Sequence, residues 1–400
     1  MKYIIWGAGE EGRLVREYLL ELNSYIYAFC DSDESLHGRQ IDGLNIISPS
    51  TLHDVCKREK IQGIVIGTRN KKFEKEIQDQ FKKLNLYEVQ LLKEDDAENK
   101  YLEETVKRLP WKWKICFTAQ AKSWIDHFME EVEFWVECLA KENSLYHMEY
   151  QARLNNKNFL EPADNRNYYQ LADRLANNSV VLDIGCGLVS RHGNVHNSKK
   201  FELIAIDPLA HYYNNINQKY GLSISNNLES KHCRWGIIEF IANSYIQNYA
   251  DAVIIRNALD HCIDPYKSLI ECLYILKLNG EILLDHRRAE AVFERYSGLH
   301  KWNLDFDCDN NFIIWNKSNS INVTDSLSSI ANIQLFCENG RNSDRLSQNI
   351  IITIKKKRNF DMSEFIDMEK ERYELAELLD LLMAWTADSE NNRKFKRLLE

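Results

Sequence analysis

Apolar and polar positions along the first part of the chain follow two alternating patterns. Short apolar runs at residues 3–6, 25–30 and 63–67 have the length and composition of buried strands. Residues 11–22 instead place apolar side chains at the spacing of an amphipathic helix, and residues 71–84 predict a charged helix. Strands that alternate with helices predict a parallel sheet with right-handed crossover connections.

A second series of the same kind begins near residue 165. The apolar runs that predict its buried strands lie at residues 180–184, 203–206, 252–255 and 281–284. Two later runs, at 312–315 and 350–354, are typical of the antiparallel strands that close such a sheet. We therefore expect an α/β protein with two Rossmann-like, doubly wound sheet domains, joined by a helical segment and followed by a C-terminal helical tail.

The predicted domain boundaries follow the changes in pattern. Residues 1–93 are expected to form a Rossmann-like nucleotide-binding domain, and residues 94–165 a helical linker or cap. Residues 166–357 form the second sheet domain, and residues 358–400 form the tail. A chain of 400 residues is long enough for two separate hydrophobic cores.

Two helical regions carry apolar stripes. In the linker, one helix face combines Trp124, Phe128 and Trp135, which we interpret as a core or inter-domain stripe rather than a substrate platform. In the tail, the stripe consists of Leu375, Leu378, Leu379, Leu382 and Met383. The tail stripe must pack on the body of the protein or on another subunit, so the C-terminal helices are a candidate homo-oligomer interface.

The composition excludes several classes of protein. A formal net charge of −9 argues against a general nucleic-acid binder, because phosphate binding needs a basic surface. The apolar runs are too short to span a membrane and the first residues do not form a secretory signal, so we expect a soluble cytoplasmic protein. The ten cysteines are scattered without a Cys-x-x-Cys pair, which favours free thiols in a reducing compartment and predicts no metal site.

A glycine-rich turn follows the first predicted strand. Gly7, Gly9 and Gly12 have the spacing G-x-G-x-x-G, which permits close backbone approach and offers helix N–H groups to a phosphate. Asp31 ends the second strand, 24 residues after Gly7, where a carboxylate can accept hydrogen bonds from ribose hydroxyls. The turn is interpreted either as a nucleotide-binding site or as purely architectural.

The first 90 or so residues resemble the small Rossmann-like domains at the amino end of bacterial sugar acetyltransferases and of membrane-linked nucleotide-sugar dehydratases. The matching positions are the turn at 7–12, Phe-Cys-Asp at 29–31, Gly38, Ile41 and Gly43, and Ile-Ser-Pro at 47–49. The resemblance implies a bound nucleotide sugar or NAD(P). No Tyr-x-x-x-Lys pair for hydride transfer follows in the sequence.

The second series contains a comparable turn. Residues 183–187, Asp-Ile-Gly-Cys-Gly, follow an apolar strand, and Asp207 ends the next strand. With the fourth-strand segment 253–261 and the segment 275–284, they resemble the class I S-adenosylmethionine (SAM)-dependent methyltransferases over residues 165–320. The third glycine that is common in this family is replaced by Val189, so the loop is expected to take a different path near the SAM carboxylate.

The resemblance assigns cofactor-binding residues. It implies that Asp183, Gly185 and Gly187 surround the methionine part of SAM and that Asp207 binds the ribose hydroxyls. The remaining candidates are Glu239, near the adenine, and Asn257, at the end of the fourth strand.

Candidate catalytic residues lie at two strand ends. His261 follows the fourth-strand run and His286 ends the fifth strand, and either could be the general base that an oxygen or nitrogen acceptor needs, with a structural role as the alternative. The candidate acceptor-binding residues are Arg287, Arg288, His300 and Trp302. The two arginines would suit an anionic acceptor, and the other two could form a lid or a sugar-stacking surface.

These patterns predict a SAM-dependent methyltransferase that acts on a small-molecule or glycan-linked acceptor. A role in surface polysaccharide biosynthesis is suggested by the sugar-enzyme resemblance of the first domain. One alternative is a nicotinamide-dependent nucleotide-sugar oxidoreductase or epimerase. Another is a non-catalytic scaffold whose SAM fold has lost activity.

Overall fold

The structure is a computed structural model that describes residues 2–68, 70–84, 86, 88–140, 145–160, 166–222, 233–339 and 348–399. The chain divides into two compact units. The first comprises residues 1–109 and 338–348, and the second comprises residues 110–337 and 349–400. The four-part division with boundaries after residues 93, 165 and 357 stays a prediction.

The first unit is a doubly wound α/β sheet domain, as expected. Its strands are β1 (Lys2–Trp6), β2 (Tyr25–Cys30), β3 (Gln40–Ile41), β4 (Leu44–Ile47), β5 (Gly63–Ile66) and β6 (Gln90–Leu92). Its helices are α1 (Glu10–Glu21), α2 (Leu52–Glu59), α3 (Lys71–Lys83) and α4 (Glu94–Lys107). The sheet order is β3-β4-β2-β1-β5-β6, and its pairings are parallel except for the β3–β4 hairpin.

Burial on both faces of this sheet explains why its strands are continuous apolar runs. Neighbouring side chains of a strand point to opposite faces, so Ile4 and Ile5, both fully buried, enter two different hydrophobic cores. Such a strand shows no alternation of polar and apolar residues.

The second unit begins with helices and continues with a larger sheet. Its helices are α5 (Phe117–Asp126), α6 (Phe128–Ala140), α7 (Leu145–Asn155), α8 (Arg166–Arg174), α9 (Ala210–Lys219), α10 (Pro265–Ile275), α11 (Glu290–Phe293), α12 (Val323–Ser326), α13 (Met368–Ala387) and α14 (Ser389–Leu399). Its strands are β7 (Val180–Ile184), β8 (Val195–His196), β9 (Lys199–Lys200), β10 (Glu202–Asp207), β11 (Arg234–Trp235), β12 (Ala250–Arg256), β13 (Leu276–Arg287), β14 (Asn303–Phe306), β15 (Phe312–Trp315), β16 (Ser320–Asn322), β17 (Ala331–Asn339) and β18 (Gln348–Lys356).

Seven of these strands form one sheet in the order β11-β10-β7-β12-β13-β18-β17. The strands from β11 to β13 are parallel, and β18 pairs antiparallel with β13. The predicted antiparallel strand at residues 350–354 is therefore confirmed. The same prediction for residues 312–315 is wrong, because β15 pairs with β14 and β16 in a separate antiparallel sheet. A short apolar run predicts a buried strand but does not identify its partner.

The strand register of the larger sheet brings three chain segments to one edge. Ile184 of β7 is paired with Ile206 of β10 on one side and with Ile255 of β12 on the other. The residues that follow these three positions therefore leave the sheet side by side. In a parallel sheet this is the edge at which ligands bind.

The C-terminal helices pack within the second unit. Leu378 is completely buried and belongs to the same hydrophobic cluster as Phe395 and the apolar residues of α5 and α6. Met383, on the same predicted stripe, is 61% exposed. A homo-oligomer through this surface stays a prediction. Across the described part of the chain, no helix combines the length and the apolar character needed to cross a bilayer.

Candidate functional site

A cavity of about 380 Å³ lies at the carboxyl ends of β7, β10 and β12 in the second unit. Residues 183–187, 207–209, 236–239 and 255–258 line it from the sheet side, and helices α5 to α7 line it from the other. This volume falls within the range of about 300–1,000 Å³ that small-molecule sites have. The cavity brings together seven predicted residues: Asp183, Gly185, Gly187, Asp207, Glu239, Asn257 and His261.

The turn after β7 depends on glycine for two separate reasons. Gly185 has φ +70° and Gly187 has φ +66°, a left-handed conformation that side chains disfavour. A Cβ atom on Gly185 would also lie 2.2 Å from the Cβ of Ala258. The turn is thus pressed against the end of β12, and its backbone faces the cavity.

The chain beyond this turn runs into the protein interior. Val189 stands at the position where class I methyltransferases commonly have a third glycine. Val189 and the preceding Leu188 are both completely buried. The Ser190 hydroxyl donates a hydrogen bond to Asp183, with an O–O distance of 2.6 Å. Asp183 thereby supports the loop while it also lines the cavity.

The Asp207 carboxylate links the chain segments that follow β7 and β10. Its carboxylate accepts hydrogen bonds from the backbone N–H of Gly187 at 3.2 Å and of Leu209 at 2.9 Å. Burial, together with the nearby carboxylates of Glu131 and Asp183, raises the pKa of Asp207 to about 7, against the lowering effect of these two hydrogen bonds. A buried carboxylate with so few donors has capacity for further hydrogen bonds from a ligand.

Glu239 and Asn257 line the cavity in different ways. The Glu239 carboxylate accepts hydrogen bonds from the backbone N–H of Ile263 at 2.6 Å and of Asp264 at 3.2 Å, so it supports the loop after β12. Its burial raises its pKa to about 7. Asn257 has φ +45°, a conformation that Asn adopts more readily than most residues, and it bends the chain into the cavity wall as β12 ends.

Three polar side chains converge at the rim of the cavity. The Oδ2 atom of Asp260 lies 2.7 Å from Nδ1 of His300 and 3.5 Å from Nε2 of His261, and these two ring nitrogens are 3.0 Å apart. Burial would raise the pKa of Asp260, but the adjacent histidines lower it to about 2. Burial works against protonation of His300, yet its hydrogen bond to Asp260 raises its pKa.

His286 lies behind this cluster rather than in the cavity. It is 1% exposed, and its Nδ1 is 3.9 Å from Oδ1 of Asp260. Burial lowers its pKa to about 4, against the attraction of Asp260, so the ring is neutral near pH 7. His261, in contrast, lines the cavity.

The described cavity lining includes none of the four predicted acceptor-binding residues, although His300 contacts the lining residue His261. Arg288 is buried, pairs with Asp305 at 2.5 Å and lies over the ring of Phe306. Trp302 is completely buried, and its indole N–H donates to the carbonyl oxygen of Cys262 at 2.9 Å, so it offers no face to a sugar. Arg287 lies over the ring of Phe293 on α11.

The sequence interpretation missed much of the cavity wall. The additional lining side chains that helices α5 to α7 contribute are Trp124, Phe128, Glu131, Trp135, Tyr146, Glu149, Tyr150 and Arg153. Trp124, Phe128 and Trp135 were interpreted as a packing stripe, and they do belong to, or pack on, a hydrophobic cluster as well. Their spacing marked one helix face but could not show that the face also borders a cavity.

The glycine turn of the first unit is closely packed. A Cβ atom on Gly12 would lie 2.0 Å from the carbonyl oxygen of Gly7, and Gly7 itself has φ +123°. The Asp31 carboxylate accepts hydrogen bonds from the backbone N–H of Ala8 at 2.8 Å and of Asp33 at 2.9 Å. At Gly9, none of the atoms that the structure describes would lie within 4 Å of an added Cβ. Close packing at Gly12 and the positive φ of Gly7 thus account for two of the three glycines without a ligand.

Comparison with known proteins gives one family match, and it covers the amino end. A family model described as "C2185-like, N-terminal" matches residues 1–92. No curated protein matches the chain.

Solved structures that are similar to parts of the chain include SAM-dependent methyltransferases, one of them from Methanosarcina mazei. The CurJ carbon methyltransferase is 16% identical with a TM-score of 0.33, and the match covers 46% of this chain and 51% of that one, so this chain spans about half its length. A sarcosine dimethylglycine methyltransferase from Galdieria sulphuraria is 12% identical with a TM-score of 0.33, over 54% and 98% of the two chains. The UDP-D-quinovosamine 4-dehydrogenase from Vibrio fischeri is 25% identical with a TM-score of 0.20, over 25% and 84%.

The double constraint on Gly185 can be tested with a matched pair of substitutions. Gly221 has a similar φ of +67°, but among the described residues no atom would lie within 4 Å of its added Cβ. Gly221→Ala should cost about 1–2 kcal/mol of stability from backbone strain. Gly185→Ala should cost about 1–3 kcal/mol more, because it also collides with Ala258. Urea unfolding of the full chain measures both, and equal costs would show that the turn is not pressed against β12.

Proposed function

We propose that this protein is a SAM-dependent methyltransferase whose active site is the cavity of the second unit. The observation that carries the proposal is the pairing of two features at one sheet edge. A glycine turn that keeps its backbone open to the cavity follows β7, and a buried carboxylate, Asp207, ends the neighbouring strand and faces the same space. That combination suits a ligand with a ribose and an adjoining charged chain.

The residues present fit SAM in size and in chemistry. The backbone of Gly185 and Gly187 would approach the methionine part, and the carboxylate of Asp207 would accept hydrogen bonds from the ribose hydroxyls. SAM, when bound, supplies an electrophilic methyl group on a sulfonium. The protein's own contribution is mainly to bind and orient the reactants.

We assign to His261 the role of the polar side chain that contacts the methyl acceptor. It lines the cavity and ends the short 3-10 helix Leu259–His261 that follows β12, with a side chain that is 20% exposed. It would either take a proton from an oxygen or nitrogen acceptor or orient that acceptor toward the methyl group. His286 lacks this access, because its side chain is completely buried.

The acceptor that we propose is a small molecule or one sugar of a glycan. The aromatic side chains of α5 to α7 offer flat apolar faces, and Glu131 and Glu149 add hydrogen-bond acceptors beside them. Aromatic faces with a few polar groups are the usual lining of small-ligand sites. A role in surface polysaccharide biosynthesis rests on the sugar-enzyme resemblance of the first domain.

The raised pKa of Asp207 makes cofactor affinity depend on pH. A protonated carboxyl cannot accept hydrogen bonds from two hydroxyls through both oxygens, so binding favours the ionised form, which predominates above the pKa of about 7. The affinity for S-adenosylhomocysteine, measured by calorimetry, should rise from pH 6 to pH 8 by up to about tenfold.

The Asp207→Asn variant separates this titration from that of the ligand's own amine. It should bind about 1–3 kcal/mol more weakly at pH 8, and its affinity should vary with pH only as the ligand titrates. Asp380→Asn, which removes one exposed carboxylate on α13, is the control and should behave like the wild type. Unchanged affinity in Asp207→Asn would rule out Asp207 as the ribose ligand.

The two histidines should differ in their effect on turnover. Transfer of a labelled methyl group from SAM to a panel of small-molecule and glycan acceptors supplies the assay. His261→Ala should keep its fold and its SAM affinity but lose roughly 10²–10⁴-fold in turnover. His286→Ala should act mainly on stability. If His286→Ala abolishes turnover while His261→Ala retains it, the assignment of His261 to the acceptor is wrong.

A further inference from the structure

Asp260, His261 and His300 form a cluster that the cofactor does not need. Asp260 and His261 lie on a 3-10 helix, Leu259–His261, that follows β12, and His300 lies almost 40 residues later, just before β14. Their ligand atoms, one carboxylate oxygen and two ring nitrogens, all lie within 4.8 Å of one another. The cluster was invisible in the sequence because no metal-ligand spacing connects these residues.

Hydrogen bonding alone accounts poorly for this convergence. An imidazole nitrogen has a single in-plane direction, in which it either carries a proton or offers a lone pair. Nδ1 of His300 has two neighbours within hydrogen-bond distance, Oδ2 of Asp260 at 2.7 Å and Nε2 of His261 at 3.0 Å. One proton cannot be directed at both.

A cation at the centre of the cluster would use all three atoms at once. Ligand atoms about 2.1 Å from one metal, at angles between roughly 90° and 110°, lie about 3.0–3.4 Å apart. The three distances in the cluster are 2.7, 3.0 and 3.5 Å, which lie on both sides of this range, so a bound cation would have to move Oδ2 of Asp260 and Nδ1 of His300 slightly apart. Two imidazoles and one carboxylate are also a ligand set that divalent first-row metals use, with the remaining positions open.

The environment of Asp260 also favours a bound cation. The residue is completely buried, and its second oxygen, Oδ1, has no hydrogen-bond partner among the described residues. A buried carboxylate needs a compensating positive charge. The side chains of His261 and His300 are 20% and 23% exposed, so the open side of the cluster faces away from Asp260.

We propose that Asp260, His261 and His300 bind a divalent transition-metal ion at the rim of the cavity. Because His261 also lines the cavity, the metal would have open positions toward the acceptor, and His261, with its Nε2 lone pair on the metal, would orient the acceptor rather than take its proton. A hydroxyl oxygen of the acceptor would occupy one of them, where the cation would lower the pKa of the hydroxyl so that its proton passes to solvent. This last part rests on the proposed function, whereas the metal site itself does not.

The metal site can be tested with Co²⁺ on the full chain after dialysis against a chelator. The wild type should bind one equivalent, with visible absorption bands that report coordination by imidazole. His300→Gln should bind at least roughly 10–100-fold more weakly, since even the loss of an outer-shell partner has an effect of that size. His211→Gln, which removes an exposed histidine of α9, is the matched control and should bind like the wild type.

A second measurement is independent of whether the variant folds. X-ray absorption of the Zn²⁺-loaded wild-type chain should show two imidazoles in the first coordination shell. No stoichiometric Co²⁺ binding by the wild type, equal binding by a folded His300→Gln, or a shell without imidazole would each overturn the proposal.

Binding of S-adenosylhomocysteine to the same preparations keeps the two proposals apart. Cofactor binding without metal binding would overturn the metal site alone. Metal binding without cofactor binding would overturn the methyltransferase assignment and leave the metal site intact.

Discussion

The parallel register of β7 between β10 and β12 determines where every polar group of the candidate site lies. Since Ile184 is level with both Ile206 and Ile255, the three strands end together. The glycine turn, Asp207 and the loop that carries His261 then emerge side by side. A slip of one residue in this register would reverse the faces of the strand and remove the site.

The close approach of these segments buries three carboxylates at the edge of the sheet. Asp207, Glu239 and Asp260 are almost completely buried, and ionised carboxylates are costly in such positions unless donors or cations lie nearby. The carboxylates of Asp207 and Glu239 accept hydrogen bonds from backbone N–H groups, and the carboxylate of Asp260 lies beside histidine side chains. The carboxylates therefore fix the loops in place. Burial raises the pKa values of Asp207 and Glu239, whereas the histidines lower the pKa of Asp260, and altered pKa values of this kind are common at functional sites.

The sequence predicted those parts that are local along the chain. Buried strands, both glycine turns and the acidic residues at the ends of β2 and β10 follow from short patterns, and the parallel sheets follow from their order. Contacts between residues that are distant along the chain and meet only through tertiary packing could not be predicted. Nothing local links His300 to Asp260, marks Trp302 as a core residue, or shows that Trp124 borders a cavity. The run at 312–315 was recognised as a strand, but its sheet was not, because pairing partners lie outside any local pattern.

The central claim is that the cavity at the end of β7 and β10 holds SAM. A crystal structure of the full chain grown with S-adenosylhomocysteine tests this most directly. The account predicts cofactor density in the second unit, with both ribose hydroxyls within hydrogen-bond distance of the Asp207 carboxylate and the methionine part along Gly185 and Gly187. Density for the cofactor elsewhere, or an empty cavity at saturating ligand, would contradict it.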